Sequence, residues 1–209
     1  VLAKTGIQDI GGKDIITGSI DSTAVLAGFG NDTVTTFGGD DTVIGDNGQI
    51  DFLNGKRSKV FSTDATNATG GDDVILLGSG NDLAIAGVGA DTVTKDKVLG
   101  LALIIGDDGS IEVDASDRYV LAKTGIQDIG GKDIITGSID STAVLAGFGN
   151  DIITTFGGDD TVIGDNGQID FLNGKRSKVL STDTTNATGG DDVILLGSGN
   201  DLAIAGVGA

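Results

Sequence analysis

Aspartate is the residue type with the clearest chemistry in this sequence. The chain contains 30 Asp and one Glu among 37 Gly, and it has no His, Cys, Met, Trp or Pro. Oxygen ligands without imidazole or thiolate select hard cations, and flexible Gly-rich loops suit Ca²⁺ better than Mg²⁺. The short side chain of Asp also suits tight loops whose backbone carbonyls share the ion. We therefore expect several Ca²⁺ sites.

Composition also argues against other classes of function. The net charge of -18 opposes binding to nucleic acid, which needs a basic surface. Without His or Cys the chain can form neither a Ser-His-Asp triad nor a zinc site, so we predict that it is not an enzyme. No apolar run approaches the roughly 20 residues of a membrane helix, so we expect no membrane insertion. The lack of Cys fits a secreted protein.

A long repeat organises the chain. Residues 1–90 recur as residues 120–209, a period of 119, with four differences between the copies. We predict a first long repeat over 1–119, made of two sub-repeats of about 60 residues that are split near 62–70. A second, truncated long repeat covers 120–209, and both belong to one continuous solenoid.

A shorter period of nine residues sets the expected fold. Large apolar residues recur nine apart, at Ile7, Ile16, Val25, Val34, Val43, Phe52 and Phe61. Each unit joins a Gly-rich loop to a strand of three residues, which is too short for a helix. Two units would make a coil of about 18 residues, with a narrow core between two parallel sheets. After Phe61 the register slips, and we interpret KRSKVFSTDATNAT as a bulged or looped-out turn.

Coiling would stack carboxylates that are 18 residues apart. The predicted pairs are Asp14 with Asp32, Asp64 with Asp82, and Asp73 with Asp91. Carboxylates at a strand spacing of about 4.8 Å repel one another and need a cation between them. The spacing therefore also points to bound divalent cations.

Four segments carry a family resemblance: AGFGNDTVT (27–35), TFGGDDTVI (36–44), LGSGNDLAI (77–85) and AGVGADTVT (86–94). They resemble the nonapeptide G-G-x-G-x-D-x-U-x of the RTX family, the hemolysin-type calcium-binding repeats. The resemblance implies an all-β fold, a right-handed parallel β-roll or β-solenoid with Gly-Asp calcium loops at the coil edges. The Ca²⁺ ligands that it implies are Asp32, Asp41, Asp73, Asp82, Asp91, Asp151, Asp160, Asp192 and Asp201. Asp14 and Asp64 and their copies Asp133 and Asp183 lie in looser loops and are further candidate ligands.

Two motifs outside the nonapeptide keep two interpretations each. GDNG (45–48) and GDDG (106–109) are either tight turns between sheets or additional metal loops through Asp46, Asp107 and Asp165. The basic cluster KRSK (56–59), repeated at 175–178, is either a solvated loop or a lateral contact with an acidic neighbour.

These observations predict a calcium-binding structural repeat of an extracellular fibre, adhesin stalk or matrix filament that folds on Ca²⁺ outside the cell. Its expected partners are Ca²⁺ and further repeats or neighbouring fibres, and its expected location is secreted, at the cell surface or in a matrix. The alternative is the calcium-binding secretion domain of a toxin, protease or lipase. The resemblance further implies one-step, type I secretion.

Overall fold

A computed structural model describes residues 2–4, 11–64, 66–125, 128–185 and 187–208. Within these ranges the regular elements are all strands. The strands are β1 (Leu2–Lys4), β2 (Ile15–Thr17), β3 (Ala24–Leu26), β4 (Thr33–Thr35), β5 (Thr42–Ile44), β6 (Gly48–Leu53), β7 (Lys56–Ser62), β8 (Val74–Leu77), β9 (Asp82–Ile85), β10 (Thr92–Lys95), β11 (Ala102–Ile105), β12 (Gly109–Val113), β13 (Tyr119–Thr124), β14 (Ile134–Thr136), β15 (Thr142–Leu145), β16 (Ile152–Thr154), β17 (Thr161–Ile163), β18 (Gly167–Leu172), β19 (Lys175–Ser181), β20 (Val193–Leu195) and β21 (Leu202–Ile204). Accordingly, the described ranges contain no helix with the length and apolar character needed to cross a membrane.

Two parallel sheets of seven strands form a β-roll, which confirms the predicted fold class. The outer sheet has the order β2-β4-β8-β10-β14-β16-β20, and the middle sheet has the order β3-β5-β9-β11-β15-β17-β21. One strand from each sheet makes a coil, so the chain alternates between the two sheets. Successive coils pair in register, as Ile16 does with Val34 and Val34 with Ile75.

The predicted narrow core lies between the outer and middle sheets. Because side chains alternate along a strand, the central residue of each outer strand points inward. Val34, Ile75 and Val93 are fully buried there and belong to one apolar cluster with Val43 and Ile104 of the middle sheet. The nine-residue spacing therefore identifies this core correctly from Ile16 to Val43. Ile7, the first member of the series, lies outside the described residues.

A third, antiparallel sheet is the main feature that the nine-residue period did not predict. This hairpin sheet has the order β1-β6-β7-β12-β13-β18-β19. The hairpins β6–β7, β12–β13 and β18–β19 follow β5, β11 and β17, so one hairpin is inserted after every second coil. Two coils and one hairpin account for the sub-repeat of about 60 residues that is visible in the sequence.

The hairpin sheet covers the face of the middle sheet that points away from the roll. Ile44, Ile85 and Ile105 of the middle sheet are fully buried against a cluster that includes Ile50 and Ile111 of the hairpins. The strands that lie between β3 and β21 in the middle sheet are therefore buried on both faces, and β9 and β11 are buried along their whole length. Continuous apolar runs are typical of such strands.

Two expectations for the hairpin region were wrong. Phe52 and Phe61 continue the nine-residue series in sequence, but they lie in β6 and β7 and do not belong to the core of the roll. The segment interpreted as a bulged or looped-out turn contains β7, which pairs with β6 as a strand, with a register shift between Asp51 and Phe52. Asn54 and Gly55 connect the two strands with φ of 53° and 80°. Asn-Gly with two positive φ angles is typical of a tight hairpin turn.

The basic cluster lies on strand β7 of this hairpin, and its copy lies on β19, so the loop interpretation is wrong. The Arg57 side chain is only 11 % exposed, and its Nε lies 3.0 Å from Asp117 Oδ1 in the turn of the next hairpin. The same guanidinium donates a hydrogen bond to the Thr42 hydroxyl of the middle sheet. Lys59 lies 3.4 Å from Glu112 on β12. These contacts join neighbouring hairpins to each other and to the roll.

Candidate calcium sites

The carboxylates follow the two edges of the roll. At the first edge the chain returns from the middle sheet to the outer sheet, and at the second edge it passes from the outer to the middle sheet. The first column contains one aspartate before each outer strand. Its members are Asp14, Asp32, Asp73, Asp91, Asp133, Asp151 and Asp192.

Hydrogen bonds hold the first column in register. Asp32 Oδ1 accepts the Asp14 N–H at 2.7 Å, and Asp73 Oδ1 accepts the Asp32 N–H at 2.7 Å. The same bond recurs for each later member, at 2.7 to 2.9 Å. Bonded partners are 18 residues apart within a sub-repeat and 41 or 42 apart across a hairpin. The hairpins thus leave the column uninterrupted.

In six of the seven members of the first column, the second carboxylate oxygen is buried without a hydrogen-bond donor. Among the described residues, no donor reaches Oδ2 of Asp32, Asp73, Asp91, Asp133, Asp151 or Asp192. A buried, ionised oxygen without a partner costs several kcal/mol unless a cation compensates it. The first column therefore presents a row of oxygens that fits a series of cations.

Burial and mutual repulsion change the acidity of the first column. Burial, with added repulsion from Asp91 and Asp32, raises the pKa of Asp73 to about 8. Burial likewise raises the pKa of Asp91 to about 7 and holds that of Asp133 well above its ordinary value. Near neutral pH the fold therefore opposes full ionisation of the column. A divalent cation would reverse this effect.

The second column lies where the middle strands begin and is interrupted. Its aspartates are Asp41, Asp82, Asp160 and Asp201. Asp82 Oδ1 accepts the Asp41 N–H at 2.9 Å, and Asp201 Oδ1 accepts the Asp160 N–H at 3.0 Å. In the coil after Asp82 the register places Ala102 at this position. The second edge therefore carries fewer carboxylates than the first.

Glycine lets the coils stack closely at the first edge. Gly30 has a φ of +122°, in the left-handed region that favours glycine. A Cβ on Gly71 would lie 2.3 Å from the Gly30 carbonyl oxygen, and one on Gly131 would lie 2.1 Å from that of Gly89. Backbone carbonyls therefore face the next coil beside the carboxylates.

The described residues include no group of three or more carboxylates that could hold an ion by side chains alone.

Comparison with known proteins agrees with this geometry. The model of the RTX calcium-binding nonapeptide repeat matches four segments, residues 17–49, 67–94, 136–168 and 181–209, which together cover more than half of the chain. The chain belongs to the RTX calcium-binding repeat family. RTX nonapeptide repeats bind multiple Ca²⁺ ions. Searches of curated proteins and of solved structures return no match.

The predicted ligands of this RTX chain fall into two groups. Eleven of the thirteen lie in the first and second columns, where the pairs Asp14–Asp32 and Asp73–Asp91 stack as expected. The expected pair of Asp64 with Asp82 is wrong, because Asp64 lies beside the GDNG loop where the hairpin ends, whereas Asp82 stacks on Asp41 at the second edge. Asp64 instead accepts the Asn47 backbone N–H at 3.0 Å and its side-chain amide at 2.9 Å. Asp183 makes the same two bonds with Asn166.

Asp46, Asp107 and Asp165 gained a structural role that sequence reasoning left open. The GDNG and GDDG loops are turns from the middle sheet into the hairpin sheet. Their carboxylates are buried at the first edge, where Asp107 accepts the Gly131 N–H at 3.0 Å and Asp165 accepts the Gly190 N–H at 2.7 Å. Burial, reinforced by the Asp73 charge, raises the pKa of Asp46 to about 10. The recurrence of GD directly after a middle strand is the signal that could have identified them.

Proposed function

We propose that this chain is a calcium-stiffened structural segment of a secreted protein that forms a fibre, adhesin stalk or matrix filament. The observation that carries the proposal is the first column, in which the carboxylate of every coil after the first presents a buried, unpartnered oxygen. A row of this kind favours the coiled state only when cations neutralise it.

In this proposal the aspartates of the first column, together with Asp41, Asp160 and Asp201 of the second, supply the carboxylate ligands, and the loop carbonyls beside them supply further oxygens. Bound Ca²⁺ compensates the buried Oδ2 atoms and joins each coil to the next. Asp64 and Asp183 act differently: they fix the turn into the hairpin through Asn47 and Asn166. We infer that these two stabilise the fold without being principal ligands.

Folding is coupled to the calcium concentration. In a low-calcium cytoplasm, the 31 acidic residues keep the chain unfolded and competent for export. Millimolar external Ca²⁺ closes the coils, because binding to the folded state alone stabilises it by mass action. RTX repeats occur in proteins that use type I secretion, which supports an extracellular location.

The fibre role rests on the repeat architecture. RTX repeat domains are generally structural. The outer sheet continues from one long repeat into the next, where β10 pairs with β14 in register. One period of 119 residues spans four coils, from Asp14 to Asp133, and so adds about 19 Å of length at a strand spacing of about 4.8 Å. Near-identical copies of such a unit suit a spacer better than a compact export domain.

Small-angle X-ray scattering of chains with one, two and three copies of the 119-residue repeat tests the proposal. In Ca²⁺ the maximum dimension should grow by about 19 Å per copy. In EGTA the same chains should give the profile of an expanded coil.

Immunogold labelling of the producing cells with an antibody to this chain should decorate surface filaments. Labelling confined to a soluble secreted enzyme would favour the alternative, a secretion domain of a toxin, protease or lipase.

A further inference from the structure

Lys95 is a buried lysine at the second edge of the roll. It is the last residue of β10, and its side chain is 0 % exposed. Its Nζ lies 2.9 Å from Asp82 Oδ2, also 0 % exposed, and it donates a hydrogen bond to the Gly78 carbonyl oxygen. A carboxylate and a loop carbonyl are the oxygen types that bind Ca²⁺ in proteins.

The second column lacks a carboxylate at this point. Ala102 stands opposite Asp82 in the register of β9 and β11. At the two carboxylate pairs of this column, Asp41–Asp82 and Asp160–Asp201, both coils contribute an aspartate. The coil that contains Ala102 is also the coil that supplies Lys95.

The corresponding strand ends carry no cation elsewhere in the described outer sheet. Thr94 is in register with Leu76 of the preceding coil, and Leu76 is in register with Thr35 of the coil before that. Lys95, the residue after Thr94, therefore corresponds in position to Thr36, the residue after Thr35. In the second long repeat this position is Thr155.

We propose that the Lys95 ammonium takes the place of a Ca²⁺ ion at Asp82, so that this point of the second edge is closed without calcium. The inference rests on the proposed role of the columns in binding Ca²⁺. Lys95 reaches Asp82 from the neighbouring coil and thus joins the two coils of one sub-repeat, as a shared ion would. A buried lysine and carboxylate need each other, since removing one leaves an uncompensated charge.

Counting bound calcium tests the inference. The variant K95T/A102D restores the residue types of the calcium-type coil and should bind one more Ca²⁺ per chain than the wild type, by isothermal titration calorimetry and by elemental analysis of the dialysed protein. An unchanged number would overturn the inference. A wild type that binds no Ca²⁺ at all would instead refute the proposed function, and this inference with it.

Amine chemistry gives a second measurement that needs no variant. In the calcium-saturated wild type, acetic anhydride should modify the exposed Lys97 and Lys123 and leave Lys95 unmodified, as read by mass spectrometry of peptides. Acetylation of Lys95 at the rate of Lys123 would overturn the inference.

In a third measurement, Lys95→Met should raise the calcium midpoint of folding by about threefold or more. Lys123→Met, which removes the same charge from an exposed site, should leave that midpoint unchanged, and equal midpoints for the two variants would count against the inference.

Discussion

Asp91→Asn should have opposite effects on the metal-free and calcium-bound states. The Asp91 side chain is 1 % exposed, and Oδ1 accepts the Asp73 N–H at 2.7 Å. Asn retains this acceptor and the shape of the side chain, but it removes the charge that calcium would compensate. The substitution therefore separates the electrostatic role of the column from its hydrogen bonds.

The magnitude follows from the acidity of Asp91. Burial, with a smaller contribution from the Asp72 charge, raises its pKa to about 7 from 3.8. At pH 8 its ionisation therefore opposes metal-free folding by about 4 kcal/mol, at about 1.4 kcal/mol per pH unit. The buried amide NH₂ of Asn lacks an acceptor, which costs about 1–3 kcal/mol. The variant should thus fold about 1–3 kcal/mol more favourably than the wild type in EGTA.

The assay is circular dichroism at pH 8. Because the metal-free wild type is expected to be unfolded, trimethylamine N-oxide is titrated in EGTA to induce folding. Asp91→Asn should fold at a lower osmolyte concentration than the wild type, yet require more Ca²⁺ when no osmolyte is present. Asp96→Asn, at an exposed position of the same coil, should change neither midpoint. The reasoning is refuted if Asp91→Asn needs more osmolyte than the wild type in EGTA.

Three further predictions concern pH, backbone contact and the second core. In EGTA the circular dichroism signal of β-sheet should grow as the pH falls from 8 to 5. Burial raises the pKa to about 6 at Asp192 and to about 8 at Asp73, so the metal-free fold loses stability as the pH rises through this range. A weaker signal at pH 5 than at pH 8 would contradict this prediction. Gly71→Ala should destabilise the calcium-bound fold by about 1–3 kcal/mol in urea unfolding, while Gly12→Ala, whose Cβ meets nothing within 4 Å, should not. Ile105→Ala, fully buried between the middle and hairpin sheets, should cost about 2–5 kcal/mol in the same assay, and a loss below 1 kcal/mol would argue against that layer.

The sequence was sufficient to predict the roll because its signals are local and repeated. The spacing of Ile16, Val25, Val34 and Val43 gives one inward residue per strand, and the Gly residues between them let successive coils stack closely. A distance of 18 residues in sequence becomes one coil in space, as the Asp14–Asp32 hydrogen bond shows. Neither inference needs long-range information.

The hairpin sheet was missed because its pattern agreed with the wrong period. Phe52 lies nine residues after Val43, so the series continued into a segment that leaves the roll. Asn54-Gly55 is a strong hairpin signal that could have corrected this interpretation. The continuous apolar run Leu101–Ile105 is a second signal, since a strand covered on only one face would alternate.

The contact between Lys95 and Asp82 could not be predicted from spacing. The two residues are 13 apart in sequence, which matches neither the nine-residue nor the 18-residue period. They meet because β10 and β9 belong to different sheets of neighbouring coils, and only the register of both sheets places them together. The same dependence on register explains why Asp64 and Asp82 were paired incorrectly.

Circular dichroism of this chain during titration with Ca²⁺, followed by EGTA, tests most directly whether shared metal ions hold the columns together. We predict a disordered spectrum at the start, a cooperative change to a β-sheet spectrum with added Ca²⁺, and full reversal by EGTA. A β-sheet spectrum that is already complete in EGTA at neutral pH would contradict the account.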